Sequence, residues 1–177
     1  MTILADIEQR VRALANRIGA SEGELPTFGR SEDGARPHIE IDSRGFHYVV
    51  VERGQEQRRV TTRDEDELLW LVFQSVTFSL AGCFELRNRA SRRDWRRIMF
   101  SRQVELLAQL SPTWAAREVN NHLDILRKYP FDDLSGERVE LSFALRRGGH
   151  TSANEAWRLA CEKFPLPQPT ADPESND

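Results

Sequence analysis

The chain has 177 residues, 39% of them hydrophobic and 30% charged, with a formal net charge of -3. That length fits one domain with a sizeable core, and the near-balanced charge excludes a global basic field that would gather nucleic acid. Two cysteines are too few for a disulfide framework. The start, Met1 to Asp6, has neither a basic n-region nor a long apolar h-region, so no signal peptide is expected and a reducing cytoplasm is.

Residues 3–18 place Ile3, Ile7, Val11, Leu14 and Ile18 at helical spacing between charged residues, and Gly19 is a natural stop. Residues 20–36 read as a loop containing Gly23, Pro26, Gly29 and Gly34, with Phe28 tucked against the core. A three-stranded antiparallel meander follows, from His38 to Thr61. Its first strand is His38 to Asp42, and its middle strand Phe46 to Glu52 is aromatic and β-branched. Gly54 can take the positive φ that the Arg53-Gly54-Gln55 turn needs. The most charged strand, Glu56 to Thr61, belongs at an edge.

Thr62 or Asp64 caps the helix on which the remaining elements are expected to pack. From Leu68 to Phe73 it is apolar without a break, and Val76, Phe78, Leu80, Ala81, Cys83 and Phe84 continue the pattern. A surface helix shows one apolar stripe, so apolar residues nearly all round mean burial on several sides. Gln74, Ser75, Thr77 and Ser79 interrupt the run before it reaches the roughly 20 residues of a membrane span, so no membrane is expected. The acids Asp64 to Glu67 suit the positive end of the helix dipole, or else face a basic partner.

Ser91 to Leu110 reads as a second long helix whose buried stripe includes Arg96 and Gln103, polar residues that must find partners. Glu52, at the end of the middle strand, is the expected partner of Arg96, making Glu52, Arg96 and Gln103 buried structural residues. Ser111-Pro112 starts a third helix that ends near Tyr129-Pro130, with Asp132-Asp133 in the linker either solvated or facing a partner. Residues 136–147 fit strand and helix periods alike. A capping box at Ser152-Ala153-Asn154-Glu155 favours a helical hairpin ending at Phe164. Residues 165–177, with Pro165, Pro167, Pro169 and Pro173, read as a disordered tail, leaving residues 1–164 as one α+β domain.

Chemistry-bearing motifs are sparse. His38, His47, His122 and His150 have no recognised ligand spacing, so no metal site is expected. No phosphate-binding glycine loop, nucleophile elbow or His-Glu-x-x-His occurs. Cys83 and Cys161 sit in apolar helical patterns, where cysteine acts as a small hydrophobe. No cofactor or catalytic residue is therefore expected. The cluster Arg87, Arg89, Arg92, Arg93, Arg96 and Arg97 could face nucleic acid. Its arginines spread around the helix, however, and only Trp95 interleaves, so pairing with Glu85 and Asp94 is the default.

One ordered series carries further. Phe46-His47-Tyr48-Val49-Val50-Val51-Glu52-Arg53-Gly54 precedes Asp66-Glu67-Leu68-Leu69-Trp70 and Thr77-Phe78-Ser79. Asp94-Trp95-Arg96-Arg97, Phe100, Gln103, Leu106-Leu107, Trp114 and Pro130-Phe131-Asp132-Asp133 complete it. From about Pro37 to Asp133 the chain resembles the bacterial immunity protein 63 family of polymorphic toxin systems. The resemblance implies an α+β fold and a non-enzymatic cytoplasmic protein that binds and neutralises a cognate toxin encoded beside it. It brings no catalytic residues. The charge-dense turn and edge strand make Arg53, Gln55 and Arg58, with the meander's exposed face, the expected partner contacts. A nucleic-acid-binding regulator using residues 87–102, or an enzyme centred on Glu52, Arg96 and Gln103, are the alternatives.

Overall fold

The computed structural model describes residues 2–149 and 151–169. His150 and residues 170–177 of the Pro-rich tail lie outside the described residues. The elements run α1 (Ile3–Ile18), β1 (Thr27–Phe28), β2 (Gly34–Asp42), β3 (Gly45–Glu52), β4 (Gln55–Thr62), α2 (Glu65–Asn88), α3 (Arg96–Leu110), α4 (Pro112–Lys128), α5 (Ser135–Arg147) and α6 (Ala153–Lys163). The fold is α+β.

The sheet has four strands in the order β1-β2-β3-β4, not three. β1 runs parallel to β2, pairing Thr27 with His38 and Phe28 with Ile39, so the sheet is mixed. Two residues between Pro26 and Gly29 are too short to show any alternation, which is why the segment reads as loop. β2 also begins at Gly34, with an irregularity between Gly34 and Pro37. β4 is an edge, as its charge requires. Arg53 (φ 53) and Gly54 (φ 72) close a two-residue turn in which both take positive φ. A Cβ at Gly45 (φ 134) would lie 2.3 Å from the Thr62 carbonyl oxygen, so β3 meets β4 there only without a side chain.

α2 is the hub. Asp64 caps it by accepting from the Asp66 N–H. Leu68, Leu69, Trp70, Leu71, Val72 and Phe73 are six consecutive residues at no more than 6% exposure. Six positions exceed a full helical turn, so every side of this half is covered. The sheet lies against one side and α3 against another, while α1 packs on α3 and β2. By length and composition α2 could cross a membrane, yet half of its most apolar window is buried within the protein. Beyond Val76 only one face of the helix stays covered, with Thr77, Ala81 and Glu85 buried, while Phe78, Phe84 and Leu86 are exposed, and so is Cys83, against the expectation of a buried thiol.

α3 begins at Arg96, later than its composition predicts. Asp94 sets that start. Its carboxylate accepts from the N–H of Arg96 (2.9 Å) and of Asp132 (2.8 Å) and from the Arg96 guanidinium (2.6 Å). The Asp94 N–H in turn donates to Asp133 (2.8 Å). This knot joins the α2–α3 connection to the segment after α4. Burial alone would raise the Asp94 pKa, but the bonds from Arg96 and from the two N–H groups outweigh it and the net shift is downward. Residues 135–147 are helical, and α5 with α6 forms a hairpin held by buried Arg138, which donates to Phe164 O, Pro165 O and Asp132.

Replacing Asp94 by Ala is predicted to cost on the order of 2–3 kcal/mol, because it leaves a half-buried guanidinium and two N–H groups without their acceptor. Glu52→Ala should cost less than about 0.5 kcal/mol, as an exposed position does. Urea midpoints read both. A carboxylate with a lowered folded pKa adds stability that is complete at neutral pH and lost as pH falls through the lowered value. Asp94→Asn should therefore flatten the acid limb of stability against pH.

Candidate functional site

The residues expected to contact a partner divide. Arg53 sits at the tip of the β3–β4 turn with its side chain 90% exposed, and Gln55 is exposed beside it. Asp33 anchors this turn by accepting from the Gly54 N–H at 2.6 Å. Arg58 lies about 10 Å farther along β4 at ordinary strand rise. It shares the helix-facing side with Val60, stacking over the Tyr48 ring at 5.5 Å.

The opposite face of the sheet carries a polar layer whose charged side chains pair with one another. His38 and His47 are buried on it, at 2% and 1% exposure. His38 lies 3.0 Å from Glu40, and His47 lies 2.8 Å from both Thr61 and Asp42. Arg59 covers them, paired to Glu40 at 2.8 Å and Glu56 at 2.7 Å, and those two bonds raise its pKa while lowering both carboxylates.

Glu52, Arg96 and Gln103 do not form one site. Glu52 is half exposed, 4.0 Å from Arg53. Arg96 opens α3 instead of lying within it, so its guanidinium turns back to Asp94 and donates to the Tyr129 and Pro130 carbonyls, each at 2.7 Å. The expected Glu52–Arg96 pair does not form. Gln103 is fully buried and does find partners.

Those partners line a cleft of about 280 Å3. Tyr48 and Arg58 of the sheet form one wall, and Gln74, Ser75 and Phe78 of α2 the next. Phe100 and Gln103 of α3, with Glu118, His122 and Ile125 of α4, close it. Gln103 donates to the Gln74 carbonyl (3.1 Å) and turns its own oxygen to His122 Nε2 (3.1 Å). Glu118 lies 3.3 Å from the same nitrogen. Two oxygen acceptors on one nitrogen place the proton on Nε2. Phe100 stacks on the imidazole with centroids 3.8 Å apart. Glu118 also accepts from Gln74 (3.2 Å) and Asn121 (2.9 Å). Burial would raise the Glu118 pKa, but the bonds from His122, Asn121 and Gln74 prevail and lower it. Burial pushes the Tyr48 phenol up. The sequence signal for this layer is the i, i+4 spacing that sets Glu118 on one face of α4 with Trp114 and His122, all three buried. Among the described residues no three His, Cys, Asp or Glu side chains converge as metal ligands.

The charge clusters are largely self-paired. Arg89 pairs with Glu85, Arg96 with Asp94, Arg97 with Asp133, Arg92 with Glu137 and Arg102 with Glu105. At the start of α2, Asp66 accepts from the Trp114 indole (3.1 Å), Glu67 pairs with Arg117 and Glu65 with Arg10.

Comparison with known families then bears on these elements. Residues 42–124 match the family model for immunity protein 63. No curated protein and no solved structure matches the chain. The immunity protein 63 match is narrower than the resemblance from Pro37 to Asp133. It takes in β3, β4, α2, α3 and most of α4, and every residue of the cleft except Ile125. α1, β1, α5 and α6 lie outside it.

Glu118→Ala should lower stability by about 2–3 kcal/mol, because buried His122 and half-buried Gln74 and Asn121 lose one acceptor. Glu118→Gln, which keeps an acceptor oxygen, should lose less. Thermal or urea unfolding of the two variants against wild type checks the ordering.

Proposed function

We propose that this chain is a non-enzymatic immunity protein of a toxin system, which binds a cognate toxin in the cytoplasm of the producing cell and neutralises it by protein–protein contact. The toxin is the product of a neighbouring gene. The observation that carries this reading is the match of residues 42–124 to immunity protein 63, a segment that includes the solvent-facing Arg53–Arg58 hairpin and nearly the whole cleft. Arg53, Gln55 and Arg58 supply contacts, in keeping with the prominence of arginine among interface anchors. The His122 Nε2–H is shared by two protein oxygens and Glu118 accepts three donors, which supports a structural polar core rather than a base poised over a substrate. A nucleic-acid reading gains no support from the 87–102 arginines, most of which are already paired with acids.

The test is affinity purification of the tagged protein from its native lysate with a moderate-salt wash. One near-stoichiometric protein, the product of the adjacent gene, is expected. Arg53→Ala, Gln55→Ala and Arg58→Ala combined should weaken its binding by about 2 kcal/mol or more with the melting temperature unchanged. Unaltered affinity in the triple variant removes the patch. Recovery of nucleic acid in place of a protein removes the reading.

A further inference from the structure

Arg58 differs from the arginines around it. Its strand neighbour Arg59 holds two carboxylates. Among the described residues Arg58 has no carboxylate within 4.0 Å, and its guanidinium rests on the Tyr48 ring at the mouth of the cleft. The one acid lining that cleft, Glu118, is 4% exposed and already accepts from Gln74, Asn121 and His122. The uncompensated charge of the cleft is therefore positive and lies on its rim. Beside it, Phe78 and Ile125 are 53% and 42% exposed and face the same space. At about 280 Å3 the cleft falls below the roughly 300–1,000 Å3 of sites for drug-sized ligands. It has room for one or two side chains.

We propose that this cleft docks a protruding loop of the partner protein that carries a carboxylate beside an apolar side chain. The carboxylate meets the fork of Arg58, which can bind it bidentately. The apolar side chain sits between Phe78 and Ile125 and displaces water from both. A nucleic-acid backbone fits less well, because it needs a track of free cations and this cleft offers one. The proposal rests on the toxin-binding reading and adds the chemistry that the toxin presents.

The experiment is an NMR titration of the full chain, following backbone amides and arginine Nε–H groups. The probes are acetyl-Leu-Asp-Phe-amide, the matched acetyl-Leu-Asn-Phe-amide and a short oligothymidine. The acidic peptide should shift Arg58, Phe78 and Ile125 saturably, and bind at least about tenfold more tightly than its Asn counterpart. Arg58→Gln should abolish that difference with no change in melting temperature, and Ile125→Glu should weaken both peptides. Equal binding of the two peptides, or shifts spread alike over Arg53, Arg87 and Arg93, overturns the proposal. So does preference for the oligothymidine, or concentration-dependent shifts at the cleft without peptide, which would make a second copy the occupant. The two readings fail separately. A chain that captures its neighbour's product but ignores the acidic peptide loses the cleft chemistry alone. One that binds the peptide but captures no protein loses the toxin reading.

Discussion

Burial of α2 from Leu68 to Phe73 on every side is the constraint on which the remaining architecture depends. A helix covered all round needs a layer on each flank, and the chain supplies the sheet, α1, α3 and α4. Each such large side chain contributes about 1.5–3 kcal/mol when fully withdrawn from water, so six in a row outweigh any single polar contact in the molecule. The same helix positions the cleft. Gln74, Ser75 and Phe78 follow directly after the fully covered segment, on the face that α2 turns to the cleft.

Polar groups then fix how the layers meet. Asp94 ties the loop before α3 to the segment after α4, and the Glu118–His122–Gln103 chain ties α4 to α3 and α2. The Trp114 indole reaches Asp66, and Arg117 lies over Trp70 at 3.3 Å while pairing with Glu67. Buried polar groups that are fully partnered make an arrangement specific, because any other packing leaves them unsatisfied. With so much charge answered within the chain, the exceptions become informative, and Arg58 opens on a concave surface lined by Phe78, Phe100 and Ile125.

Local pattern alone made much of this legible. The alternation and β-branching of Phe46 to Glu52 marked β3, Gly54 marked the turn, and Ser111-Pro112 marked the start of α4. The acid-capped apolar run marked α2. What escaped was set by contacts distant in sequence. β1 exists only because β2 pairs with it. Ser91 to Trp95 is compatible with a helix, yet Asp94 is held by groups 38 and 39 residues away. Residues 135–147 satisfy both periods, and the partnership with α6 accompanies the helical choice. Glu52 was assigned to Arg96 on the premise that Arg96 lay within a longer α3. Once the helix starts at Arg96, that geometry is gone.

A scaffold with a largely self-paired charge layer and a cleft that sets an unpaired arginine beside exposed apolar side chains suits a protein that fits another protein. The most direct measurement is growth of a susceptible cell that expresses the product of the gene adjacent to this one, with and without this chain. The account predicts arrest by that product alone and restored growth when this chain is co-expressed. Continued arrest in the presence of folded, abundant chain would contradict it.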